Sequence, residues 1–106
     1  MTVYSIVGQK HRGFDSHLVG ILPGTPVTLV REPDNKFDPN AVMVWIDGKH
    51  VGYIPSKENK ALAEFIDQTG FPSQWEESDS VMVNVRNAIN AKFIRSPNSA
   101  YPMVEV

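Results

Sequence analysis

Twelve consecutive residues, Arg31-Glu32-Pro33-Asp34-Asn35-Lys36-Phe37-Asp38-Pro39-Asn40-Ala41-Val42, bring three carboxylates, two amides and one aromatic ring into a single polar stretch. A plain connection between strands needs only about two to five residues. The two prolines stiffen the backbone, and the Asn and Asp side chains hydrogen-bond locally in turns. The result is a stiff loop that offers hydrogen-bonding groups beside a stacking surface, Phe37.

The catalytic and metal-binding chemistries open to such residues make stronger demands. Glu32, Asp34 and Asp38 are oxygen donors of the kind that hold divalent cations, yet the loop lacks the regular spacing and central glycine of a calcium loop. His11, His17 and His50 form no i, i+4 pair, and the chain has no cysteine, so a zinc site is not expected. Ser56 lacks the Gly-x-Ser-x-Gly elbow of a hydrolase nucleophile, and its place before a helix is that of a cap. No Gly-x-x-x-x-Gly-Lys loop is present to cradle a nucleotide phosphate. A binding domain without catalysis, metal or cofactor is expected.

The chain has 106 residues, 42% hydrophobic and 21% charged, the balance of one globular domain spanning 1–106. Its net charge of −2 argues against indiscriminate coating of nucleic acid. Five of the twelve acids (Glu64, Asp67, Glu76, Glu77 and Asp79) fall where there is no Lys or Arg, which leaves ten basic against seven acidic residues elsewhere. No run approaches the roughly 18 apolar residues of a membrane span. The N-terminal residues lack the features of a signal peptide, so a cytoplasmic location is expected.

The elements that must position the loop follow from periodicity. Val3–Val7 and Thr25–Arg31 read as strands, the second after a Pro23-Gly24 turn and with Val27 and Leu29 on one face. Ala41–Ile46 is continuously apolar, as in a central strand covered on both faces. Asp47-Gly48 marks a tight hairpin, with the return strand running from Lys49 to Ile54. Phe14–Leu22 fits neither period. A helix is expected from Pro55-Ser56 to Gly70, capped by Ser56, with Leu62, Phe65 and Ile66 buried and Ala61 and Ala63 allowing close packing. Phe71–Asp79 reads as an irregular acidic loop with Trp75 closing over the core. Val81–Val85, Lys92–Arg95 and Tyr101–Val106 read as further strands. Together they predict a mainly β (α+β) fold: a small, oligonucleotide-binding-like, partly open β-barrel of about six strands with a helical insertion.

The loop, followed by Val51-Gly52-Tyr53-Ile54-Pro55 and a helix, resembles the HIRAN domain. In that family a strand ending Arg-Asp/Glu-Pro leads into Asn-x-Tyr/Phe-Asp-x-Asn-Ala-Ile/Val and then Val-Gly-aromatic/His. The resemblance covers roughly residues 3 to 95 and is to the free-standing bacterial or phage-type members. Other members are attached to chromatin-remodelling helicases, and the best-understood ones capture the 3′ end of single-stranded DNA in replication-fork repair.

Carried over, the resemblance implies that Asp38 accepts a hydrogen bond from a terminal 3′-hydroxyl and that Asn35 contacts the terminal nucleotide. It implies stacking by Phe37, in place of a tyrosine, and by Phe93, and it puts Tyr53 where the family has His or an aromatic residue. The family's phosphate-facing lysine aligns with Ser56, with Lys57 and Lys60 nearby. Where the DNA-binding members carry an arginine and two aromatics, this chain reads Ser16-His17-Leu18-Val19-Gly20, and His17 is the nearest stand-in for a stacking ring. The expected function is binding of single-stranded DNA, preferring a free 3′-hydroxyl, in DNA repair or replication-fork processing. The competing reading is a protein-interaction module that recruits a helicase or nuclease through Trp75 and Glu76-Glu77-Ser78-Asp79. A metal-dependent nuclease accessory ranks last.

Overall fold

Two short turns start the sheet. At Pro23-Gly24 the backbone reverses with Gly24 at φ +92°, and Gly24 N–H donates to Phe93 O at 2.7 Å. This turn feeds β2 (Pro26–Arg31) into the sheet. At Asp47-Gly48 both residues adopt positive φ, 52° and 74°, the requirement of a tight hairpin. That hairpin joins β3 (Val42–Ile46) to β4 (Lys49–Tyr53). The computed structural model describes residues 2–7, 21–76, 83–95 and 102–106. The Gly8–Gly13 loop, most of Phe14–Leu22 and the Ser96–Ser99 turn lie outside them.

The remaining elements are β1 (Val3–Ser5), helix α1 (Asn59–Thr69), β5 (Phe71–Glu76), β6 (Val83–Arg95) and β7 (Pro102–Glu105). The strands run antiparallel in the order β1-β7-β6-β2-β3-β4, with β5 beside β6 off this path. The six-strand path curls until its two ends meet at one bridge between Val7 and Tyr53. Each residue's N–H donates to the other's carbonyl at 2.8 Å. The fold is therefore the expected mainly β, partly open barrel, with one helix among the described residues.

Three departures from the sequence reading have physical causes. The strands expected at Val81–Val85 and Lys92–Arg95 belong to one strand of 13 residues, Val83–Arg95, whose Asn and Arg residues break the apolar pattern without breaking the ladder. Phe71–Glu76 is a strand, paired to β6 from Phe71↔Ala88 to Glu76↔Val83, and not an irregular loop. The helix starts at Asn59, not at Ser56: Pro55 O accepts from Glu58 N–H at 2.9 Å in a turn, and no side chain caps the helix.

Alternation along the strands separates two apolar faces. Val27 and Leu29, Val42, Val44 and Ile46 fill the main core with Phe93 and the helix residues Leu62, Ala63 and Ile66. Val30, Met43 and Ala88 form a smaller cluster on the other face with Trp45 and Tyr53, so β3 is covered on both faces as its composition predicts. The buried helix stripe is Asn59, Leu62, Ala63 and Ile66, the i, i+3, i+4, i+7 spacing of one face. Phe65 falls beside that stripe and is 48% exposed, so it does not join the core.

Barrel closure depends on a missing side chain. A Cβ on Gly52 would sit 2.5 Å from Val7 O and 2.9 Å from Ile6 Cγ2. Gly52→Ala is expected to lower stability by about 1–3 kcal/mol through forced separation of this seam. Gly48→Asn, at a positive-φ position with open space around it, meets no clash and is expected to cost less, about 1 kcal/mol or under, because Asn tolerates the left-handed region. Urea unfolding of both variants checks the contrast, and equal losses would contradict it.

Candidate functional site

The polar loop is built from its own side chains. Asn35 Oδ1 accepts from the N–H groups of Phe37 at 2.9 Å and Asp38 at 3.0 Å. Its Nδ2 donates to Glu32 Oε1 at 2.6 Å, and Tyr53 OH donates to the same oxygen at 3.0 Å. Asp38 Oδ1 accepts from Asn40 N–H at 2.9 Å. Glu32 N–H donates to Ala41 O at 3.0 Å, closing the base of the loop.

Two buried arginines clamp this structure from opposite faces of the sheet. On the core face, Arg31 Nη1 and Nη2 donate to the carbonyls of Ala41 at 2.8 Å and Pro39 at 3.0 Å. Its Nε donates to Asp67 of α1 at 2.9 Å. On the other face, Arg86 donates to both Asp34 oxygens, at 2.7 and 3.2 Å, and to Arg31 O at 3.4 Å. The Arg86 guanidinium holds the Asp34 carboxyl below its ordinary value. A third tie links loop and helix: the buried Asn59 amide donates to Asp38 Oδ2 at 2.7 Å.

These ties consume the carboxylates separately. Asp34 turns to Arg86, Glu32 to Asn35 and Tyr53, and Asp38 to Asn40 and Asn59. Among the described residues no three His, Asp or Glu side chains converge as metal ligands.

Phe37 is the exception to this economy of contacts. Its ring is 96% exposed although its backbone is held by Asn35. Beneath it lies an open cleft of about 240 Å³ lined by Val7, Asn35, Phe37, Asp38, Ala41, Tyr53, Ile54 and Ser56. A ring, a carboxylate and an amide therefore face one depression at the seam where the barrel closes. Tyr53 backs it, in edge contact with His50 at 4.8 Å, and His50 stacks on Trp45 at 5.4 Å.

Of the residues singled out in the sequence, Asn35, Phe37, Asp38 and Tyr53 meet in this cleft. The Asn35 carbonyl is already occupied twice, which leaves one amide hydrogen for a ligand. Lys57 and Lys60 are exposed and follow Ser56 at the rim. Phe93 is a correction: it is 0% exposed in the main core, with the Arg95 guanidinium 5.2 Å from its ring centre, so it offers no face to a base. Its alternation with Ile89 and Ala91 on β6 marks it as core. His17, Glu77, Ser78, Asp79 and the side chain of Trp75 lie outside the described residues. The sequence reading missed Asn59, Arg86 and the place of Val7 in the cleft wall, all of which reach the site through long-range contacts.

The HIRAN domain family model matches residues 1–93. A crystal structure of a protein from Lactobacillus plantarum, from a structural genomics consortium, has the same fold. The TM-score is 0.68 at 20% identity, covering 99% of this chain and 88% of that one. No curated protein matches the chain.

The Asp34–Arg86 pair gives a pH prediction. The folded carboxyl titrates below its ordinary 3.8, so its stabilisation is complete above that pH and is lost as pH falls through the lower folded value. Asp34 is largely exposed, which limits the effect to about 1 kcal/mol or less. Asp34→Asn should remove that part of the acid limb in thermal unfolding scans run across the acid range, and an unchanged limb would contradict the assignment. Arg31→Leu should cost more, about 1–3 kcal/mol, because it takes the arginine donor from Pro39 O, one of two donors from Ala41 O, and the ion-pair partner from Asp67.

Proposed function

The chain belongs to the HIRAN domain family, a family associated with nucleic-acid binding, and from that premise we propose a non-catalytic module that binds single-stranded DNA ends. The terminal nucleotide enters the cleft at the barrel seam and stacks on Phe37. The free 3′-hydroxyl donates to Asp38. Lys57 and Lys60 meet the phosphates that follow. The module acts in DNA repair or replication-fork processing, delivering or retaining strand ends.

The observation that carries this reading is the 96% exposed Phe37 ring beside the half-buried Asp38 in one cleft. An apolar ring held in water by a stiff loop gains by stacking, and base stacking on an aromatic is worth roughly 1–3 kcal/mol. The loop is ordered by its own hydrogen bonds, so binding costs little further ordering of its backbone. A carboxylate at the end of the cleft favours a hydroxyl donor and repels a phosphate, which is the difference between a strand end and an internal nucleotide. Few cations surround the cleft, so roughly two to four phosphates would be neutralised and the salt dependence would be shallow.

The test is fluorescence anisotropy with labelled single strands ending in 3′-hydroxyl or 3′-phosphate. The hydroxyl end should bind more tightly by roughly tenfold, Phe37→Ala should weaken both by roughly 5- to 100-fold, and Asp38→Ala should erase the difference between ends. Equal affinity for both ends, unchanged in Asp38→Ala, would remove end recognition.

A further inference from the structure

The hydrogen bonds around Asp38 leave a defined amount of unused acceptor capacity. A carboxylate offers about four lone-pair positions, two on each oxygen. Asn40 N–H occupies one on Oδ1 at 2.9 Å, and the Asn59 amide occupies one on Oδ2 at 2.7 Å. Among the described residues these are the side chain's hydrogen bonds, so each oxygen keeps one acceptor position. Asn59 is 1% exposed and cannot swing to water, and Asn40 donates from the backbone. The plane of the carboxylate is therefore held from both sides while it borders the cleft with Phe37, Tyr53 and Ser56.

A deoxyribose end brings one hydroxyl and fills one of the two positions. A ribose end brings two, on adjacent carbons of one ring, and can meet both oxygens of one carboxylate. An acidic side chain holding a ribose hydroxyl is the arrangement used in dinucleotide-binding folds, and the 2′-hydroxyl is the group by which proteins distinguish RNA from DNA.

We propose that the cleft takes the vicinal 2′,3′-diol of a terminal ribonucleotide, Asp38 accepting one hydroxyl on each oxygen, and that such strands are preferred to fully deoxyribose ends. This rests on reading the cleft as an end-binding site. The chemistry is shared by an RNA 3′ end and by a DNA strand carrying one terminal ribonucleotide.

The experiment uses the unmodified full chain and one DNA sequence whose last sugar alone is varied: ribose, 2′-deoxyribose, 3′-deoxyribose or 2′,3′-dideoxyribose. Anisotropy titrations should rank ribose tightest, roughly fivefold above 2′-deoxyribose, with the dideoxy end weakest. If ribose binds no better than 2′-deoxyribose while the latter still exceeds dideoxyribose, the diol proposal is overturned and end recognition stands. If all four sugars bind alike, both readings fall. An all-RNA strand compared with its 3′-phosphorylated form separates the two sources, since equal binding of that pair overturns RNA ends as the ligand. Asp38→Asn, with folding checked by circular dichroism, should abolish the ribose advantage, and its persistence would also overturn the proposal.

Discussion

The burial of two guanidinium groups on neighbouring strands is the constraint around which the site is organised. A buried charge is costly unless it is paired and fully hydrogen-bonded. Arg31 meets that demand with Asp67 and the carbonyls of Pro39 and Ala41. Arg86 meets it with Asp34 and Arg31 O. Of these partners all but Asp67 lie in the loop or at its base, so the bonds that satisfy the arginines also fix the loop, and releasing it would take these partners from two buried charges. The same bonds tie the loop to α1, which packs over the main core.

This arrangement explains how an exposed aromatic can sit on an ordered support. Loops that carry large apolar side chains usually bury them as anchors, because burial is the cheapest source of order. Here the order comes from Asn35, which ties two backbone amides, and from the arginine clamp. Phe37 is left with no packing role in the described structure. Tyr53 joins the two systems: its backbone closes the barrel with Val7, and its hydroxyl holds Glu32. Movement at the seam is therefore felt at the loop. Gly52 and Gly70 serve the same compactness by a different property, since each permits a close backbone approach that a Cβ would block.

Much of the fold was legible locally. The Asp47-Gly48 hairpin, the Pro23-Gly24 turn, the apolar β3 and helix α1 all rest on short-range rules of φ, periodicity and chain reversal. The errors came where the deciding information was distant. Ser56 had the chemistry of a cap, but the Pro55–Glu58 turn displaced the helix start to Asn59. Phe71–Glu76, with a proline and polar residues, reads as a loop until its partner on β6 supplies the ladder. Phe65 and Leu62 are equally apolar, and only the direction of the neighbouring sheet separates them.

For the site, the sequence by itself determined the composition of the loop, its turn chemistry and the family to which the chain belongs, because those depend on residue types at close spacing. It brought Asn35, Phe37 and Asp38 together, since a loop so short cannot separate them. Tertiary structure alone decided which aromatics are available: Phe37 faces water while Phe93 fills the core, a difference of burial that residue type does not encode. It also decided the state of Asp38, whose carboxylate is oriented by Asn59 from 21 positions away. The physical reason is that local rules set what a side chain can bond, whereas its surviving bonding capacity depends on which distant strands and helices have already claimed part of it.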